Sequence, residues 1–249
     1  MMVIRKSSRE LALMREAGKI VAHTHAILQD NIRPGVTTAE LDALAYDEVT
    51  KHGAEPSFLG YRGYPASLCV SINEELVHGI PGPRVLNDGD IVSLDFGAIY
   101  RGYQGDAAIT VGVGPIDKKA QELIETTRGA LEAAIAQCRR GSYLGDISWA
   151  IQSHAESRGF SVVRQYVGHG IGRNMHEDPQ IPNYGPPRRG ILLKPGMTFA
   201  LEPMVNVGGY LTRVLDDNWT VVTDDRELSA HFEHTVAITD GEPEILTRL

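Results

Sequence analysis

The sequence predicts one α+β domain, and three observations carry that expectation. Hydrophobic residues recur at helical spacing in two separate blocks, strand-like apolar runs lie between and after those blocks, and no linker, low-complexity stretch or repeat divides the 249 residues. The first helix is expected over 8–31, where Leu11, Met14, Ile20, Val21, Ile27 and Leu28 fall roughly on one face. "RPGVT" (33–37) ends it, and Thr37 with Glu40 forms a capping box that opens a second helix to about Lys51. "ASLCVSIN" (66–73) reads as a strand, followed by the turn-rich "VHGIPGPRVLNDGD". "DIVSLDFGAIY" (90–100) and "GDAAITVGVG" (105–114) read as two strands of a hairpin joined through "RGYQG". Helical stretches follow over about 117–139 and 143–158. In "GHGIGRNMHEDPQIPNYG" (168–185), Gly168, Gly170 and Gly172 imply backbone that bends sharply or lets something approach closely. Pro179 and Pro182 rule out a long helix there, so the segment reads as a loop. Strand patterns over 196–205, 219–225 and 229–239 close the chain.

Composition narrows the function. The chain is 42% hydrophobic and 22% charged, as ordinary globular proteins are. A formal net charge of −8 argues against non-specific binding to nucleic acid or anionic membranes. Cys69 and Cys138 are too few for a disulfide framework or a four-cysteine zinc site, and both are expected to stay reduced. The charged start "MMVIRKSSRELALMREAGKI" lacks the apolar centre of a signal peptide, and no apolar run reaches membrane-spanning length. A cytoplasmic, membrane-free protein is the expectation.

The acids are oddly placed. Asp95 falls among Val92, Leu94 and Phe96, Asp106 begins the partner strand, Glu202 interrupts "TFALEPMV", and Glu233 interrupts "SAHFEHTVAI". Each alone reads most simply as a cap, a strand-end residue or an ion-pair partner. An ionised carboxylate in apolar surroundings is costly unless paired or bound to metal, and four together repel unless cations or shared protons offset the charge. Carboxylate oxygens with one imidazole, His169, suit manganese, iron, cobalt or zinc, and several bridging carboxylates suit a pair of ions. Competing motifs fail. "HEDPQ" at 176 lacks the second histidine of H-E-x-x-H, no G-x-S-x-G or phosphate-binding glycine loop is present, and nothing around Cys69 supplies a base.

Asp95, Asp106, His169 in "GHGIG", Glu202 in "ALEP" and Glu233 in "FEHT" match, in order, the five-ligand signature of the type I methionine aminopeptidases. The chain resembles that family from its first helix to about Leu246, through "GYPASLCVSINEELVHGIPG", "VSLDFGAIYRGYQGDAAIT", "LKPGMTFALEPMV" and "NWTVVTDDRELSAHFEHT". The resemblance implies the pita-bread fold: a pseudo-twofold arrangement with a central antiparallel sheet flanked by helices, here one catalytic domain over 1–249. It implies two divalent ions, with Asp95 on one, Asp106 and Glu233 bridging, and His169 and Glu202 completing the second. It also implies a metal-bridging hydroxide that attacks the scissile carbonyl, with Glu202 as proton shuttle and His78 and His176 as non-ligand histidines on substrate.

Phe58, Tyr61, Tyr64, Cys69, Met175 and Trp219 match the methionine side-chain pocket, although the family often carries a smaller residue at Phe58 and an aromatic at Met175. Without the family, each of these reads as ordinary core packing. Asn73, Glu75 and Ser229 align with a site for a monovalent cation, sodium or potassium. The implied activity is removal of the initiator methionine from peptides and nascent chains whose second residue is small and uncharged. A monomer with at most transient ribosome contact and no nucleic-acid specificity is expected, the short N-terminus lacking the extension some members carry. The alternatives are a proline-directed peptidase of the Xaa-Pro aminopeptidase or prolidase kind, usually built with an added N-terminal domain, and a non-catalytic peptide-binding module, which typically has lost ligands.

Overall fold

The structure, a computed structural model, describes residues 3–249. Helix α1 (Ser8–Asn31) starts at a capping box in which Ser7 and Glu10 satisfy each other's backbone donors, and α2 (Thr38–Lys51) starts the same way on Thr37 and Glu40. After β1 (Glu55–Pro56) and a single turn of 3-10 helix (Tyr61–Gly63) come β2 (Cys69–Ile72), β3 (Glu75–Val77), β4 (Ile91–Tyr100) and β5 (Tyr103–Gly112). The β4–β5 hairpin is tighter than expected. Only Arg101 and Gly102 separate the strands, both with positive φ, as a two-residue hairpin that follows the strands' own twist requires.

Helices α3 (Lys118–Gln137) and α4 (Leu144–Glu156) lead into β6 (Ser161–Val162), β7 (Gly168–Gly170) and β8 (Glu177–Ile181). The segment expected to be a loop therefore supplies two strands. β8 lies at the end of the large sheet, where Pro179 is tolerated because an edge strand leaves some N–H groups unused. The chain finishes with β9 (Thr198–Leu201), β10 (Met204–Asn206), β11 (Thr212–Val214), β12 (Val221–Thr223), β13 (Ser229–His231), β14 (Glu233–Ala237) and β15 (Glu244–Ile245).

The large sheet runs β1-β4-β5-β14-β9-β7-β8, with β2 added on β4 and β15 on β14, and its pairings are antiparallel. Two smaller sheets, β13-β10-β6 and β11-β12-β3, complete the β-structure. Each half of the large sheet has its own pair of helices. Ile20, Val21 and Leu28 of α1 and Leu41 of α2 pack with Val92, Leu94 and Phe96, while Leu123 and Leu131 of α3 and Ile147 and Ile151 of α4 pack with Phe199, Leu201 and Val236. This is the two-halved architecture that the resemblance implied.

Two predicted strands are each broken in the middle. The run 196–205 divides at Glu202–Pro203 and the run 229–239 divides at Phe232, and the breaks face each other across the ribbon. Leu201 pairs with His234 on the large-sheet side and Met204 with His231 on the small-sheet side. The ribbon bends there and changes sheets, at a proline that has no N–H to lend the ladder.

Candidate metal centre

Strand register brings the acids together. Asp95 on β4 lies opposite Ala108 on β5, and Ala108 lies opposite Glu233 on β14. Directly opposed residues share a face, and so do residues two apart on a strand. Asp95, Glu233 and Asp106, two before Ala108, therefore project from one side of the sheet. The same rule extends along the next strands, because His169 on β7 lies opposite Ala200 on β9, which lies opposite Thr235, two after Glu233. Glu202 follows Ala200 by two, at the ribbon bend. All five acid and imidazole side chains thus point to one face, with the small Ala108 and Ala200 leaving space between them.

The atoms converge as the register requires. Ligating atoms of Asp106, His169 and Glu233 all lie within 4.8 Å of one another. His169 Nδ1 faces the Gly170 carbonyl at 2.9 Å, and a carbonyl only accepts, so Nδ1 carries the ring proton. Its Nε2 is left as a lone pair 3.6 Å from Glu202 Oε1. Asp95 Oδ1, Asp106 Oδ1 and Glu233 Oε1 are buried without a hydrogen-bond partner.

Burial pushes the Asp106 carboxyl up to about 7, and burial followed by the neighbouring carboxylates pushes Asp95, Glu202 and Glu233 well above the usual range. Burial holds His169 down at about 3. Orphaned carboxylate oxygens around a bare imidazole nitrogen, on groups that cannot comfortably hold their negative charge, are a donor set that fits divalent cations.

The cluster opens into a cavity of about 140 Å³ whose other walls are Phe58, Tyr61, Arg62, Tyr64, Cys69, His78, Met175, His176 and Trp219. Every residue predicted for the metals, the two substrate histidines and the methionine pocket lines this one space. Tyr64 donates to the Gly79 carbonyl at 2.9 Å and meets Trp219 edge-on, ring centroids 5.1 Å apart. That bond braces the backbone beside His78, which sits at positive φ with its ring edge-on to Trp219 and to Tyr166. Burial lowers His78 to about 4, and burial also lowers His176, with help from Arg62. Met175 reaches its place because Gly97 has no Cβ, which would stand 3.0 Å from Met175 Cε and 2.8 Å from Ser57 Cβ. The turn before β8 is pinned by Glu177, which accepts from Asn174 N at 3.2 Å and from the buried Lys6 ammonium at 2.6 Å.

Sequence reasoning missed several members. Arg62 is one. Ala108 and Ala200 carry no sequence signal of their own. His231 was legible: it precedes Glu233 by two, and its Nε2 lies 3.9 Å from both Glu202 Oε2 and Glu233 Oε2, with neither ring nitrogen hydrogen-bonded.

Asn73, Glu75 and Ser229 lie on neighbouring segments elsewhere, Ser229 N donating to the Asn73 carbonyl at 3.0 Å. The Glu75 carboxylate is already engaged by Arg84 at 2.7 Å and Ile72 N at 2.8 Å, and the Asn73 side chain by Asp90 and Ile91.

Residues 12–240 match metallopeptidase family M24. A relative, methionine aminopeptidase 1 of Bacillus subtilis, is 55% identical over 248 residues covering 100% of both chains. The crystal structure of a methionine aminopeptidase from Thermotoga maritima superposes with a TM-score of 0.98 at 48% identity, over 100% of each chain. The prolidase from Pyrococcus horikoshii has a TM-score of 0.81 at 22% identity over 99% of this chain and 64% of that one, a likeness of fold alone.

Proposed function

The chain belongs to metallopeptidase family M24, and from that premise we propose that it removes N-terminal methionine from peptides and nascent proteins whose second residue is small and uncharged. The observation that carries this reading is that the carboxylate–imidazole cluster and the apolar, sulfur-lined pocket are walls of one cavity. Asp95, Asp106, His169, Glu202 and Glu233 would hold two divalent ions, of manganese, iron, cobalt or zinc, Asp106 and Glu233 contributing to both. When bound, such ions polarise a carbonyl and acidify water.

The remaining work falls to side chains. The Met thioether enters the pocket formed by Phe58, Tyr61, Tyr64, Cys69, Met175 and Trp219, whose rings and sulfurs match its size and polarisability. His78 and His176 direct imidazole N–H groups at the scissile carbonyl oxygen, where negative charge develops. The Glu202 carboxylate, a wall of the same cavity, receives the proton of the attacking water and passes it to the departing amine. We place the reaction in the cytoplasm, with one catalytic domain over 1–249 acting as a monomer in at most transient contact with ribosomes. No helix of the described residues is long and apolar enough to cross a membrane. A monovalent cation at Asn73, Glu75 and Ser229 would take mainly backbone carbonyls, because the side chains there are otherwise engaged.

The test is a peptide pair, Met-Ala-Ser and Met-Lys-Ser, with added manganese, cobalt or iron and Ala-Pro as control. Release of methionine from the first alone is expected. Equal cleavage of both removes the specificity, cleavage of Ala-Pro alone points to a proline-directed peptidase, and no cleavage by metal-replete protein removes the activity.

A further inference from the structure

We propose that Tyr61, beyond forming a wall of the methionine pocket, is a positioning residue that fixes the tautomer of His176 and so keeps a proton on the Nε2 that serves the substrate carbonyl. The inference rests on the function proposed above. Tyr61 Oη lies 2.9 Å from His176 Nδ1, and the two rings stack with centroids 5.6 Å apart and planes 9° from parallel. A neutral imidazole has one donor and one acceptor nitrogen. If the phenol donates to Nδ1, the ring proton must reside on Nε2. The opposite arrangement would turn a bare lone pair toward the substrate carbonyl oxygen, where negative charge develops, and leave the phenol proton without an acceptor in the pair.

One further feature favours the phenol as donor. The Arg62 guanidinium carbon stands 5.3 Å from the Tyr61 ring centroid, and a cation over the ring strengthens the O–H as a donor. Arg62 holds that position at a cost, since it adopts a left-handed φ of 51° between Gly60 and Gly63, which are also at positive φ. Such strain persists only where the surroundings over-determine it. Here the segment closes on itself: Tyr61 N donates to Phe58 O, Gly63 N to Gly60 O, Tyr64 N to Tyr61 O and Gly60 N to Tyr64 O, at 2.8–3.1 Å. The platform carrying the phenol is therefore fixed before substrate arrives.

The neighbouring imidazole is locked the other way. His169, its ring centroid 4.1 Å from that of His176, gives its Nδ1 proton to the Gly170 carbonyl and keeps Nε2 bare. Two adjacent histidines, their planes 32° apart, thus present opposite Nε2 chemistry, a lone pair from one and a proton from the other, each set by what its Nδ1 meets.

The experiment is long-range 1H–15N correlation of histidine-labelled, zinc-loaded protein, with the His176 signals identified by their absence from His176→Ala. His176 is expected as the Nε2–H form in the wild type, and Tyr61→Phe should move it toward the Nδ1–H form while His169 stays unchanged. A wild-type His176 in the Nδ1–H form overturns the proposal, as does a tautomer that ignores Tyr61→Phe. Kinetics give an independent reading, because phenylalanine keeps the pocket wall and removes only the hydroxyl. On Met-Ala-Ser, kcat should fall roughly 10- to 100-fold with KM nearly unchanged, and Tyr61→Phe should add nothing in a His176→Ala background. A loss confined to KM, or an equal loss without His176, makes Tyr61 a pocket wall only. Failure of the wild type to release methionine would instead defeat the proposed function, and the tautomer measurement would still decide this inference.

Discussion

His169 and His176 lie seven residues apart with their rings in contact, yet the segments that carry them are built on opposite principles. His169 is buried in strand β7, where register dictates its direction and its own neighbour's carbonyl dictates its tautomer. His176 lies in the turn before β8, held by side chains from distant segments: Tyr61 directly, and Lys6 through Glu177. A strand suits the ligand role proposed for His169, because metal coordination demands a lone pair at a fixed place among other fixed groups. A pinned turn suits the role proposed for His176, meeting a substrate that arrives from outside.

The largest expected effect comes from removing the frame that His169 serves. Glu233→Ala takes out the carboxylate at the meeting point of β5 and β14, and should abolish both dinuclear metal binding and methionine release. Two equivalents of bound manganese or cobalt in that variant, measured by calorimetric titration, would refute the shared-ligand role. A subtler change to the same frame is Ala108→Val, which places two methyl groups between Asp95 and Glu233. Overpacking costs about 1–3 kcal/mol, and the part of that strain that pushes the Asp95 and Glu233 carboxylates apart should weaken metal affinity, by roughly tenfold, while Tyr61 and His176 are untouched. Unaltered affinity would show that the alanines are incidental.

The smallest effect uses a histidine outside the cavity lining as the contrast. His25 in α1 is buried, and burial and then nearby His234 hold it at about 3, against 6.5 for an unperturbed side chain. The unfolded chain therefore takes up its proton first as pH falls. This contribution is intact above pH 6.5 and drains away on acidification toward the folded value. Wild type should lose about 2 kcal/mol more than His25→Leu between pH 7.5 and pH 5 in urea denaturation. Parallel losses would mean that His25 is not held neutral in the fold.

How much of this was legible follows from the same contrast. The four helices and the β4–β5 hairpin announce themselves through helical spacing, apolar runs and, for α2, a capping box, and Asp95 and Asp106 stand out as acids within such runs. The segment 168–185 misled because glycines and prolines are loop signals, whereas here Gly168 and Gly170 let neighbouring strand backbone come close. A Cβ at Gly168 would stand 2.6 Å from the Ala200 carbonyl oxygen, and one at Gly170 would stand 2.3 Å from that of Asp178. The breaks at Glu202–Pro203 and Phe232 were hidden because alternation continues through them; only the pairing of two bent strands reveals the change of sheet. Arg62 could not be found from sequence, since its place depends on a left-handed turn that closes through its own backbone bonds.

The separation of roles is tested most directly by counting metal, under anaerobic conditions, in purified His169→Ala and His176→Ala proteins beside the wild type. His169→Ala is expected to lose bound metal, and His176→Ala to keep the wild-type stoichiometry while releasing methionine from Met-Ala-Ser far more slowly. Full metal in His169→Ala together with metal loss in His176→Ala would mean that the two roles are reversed.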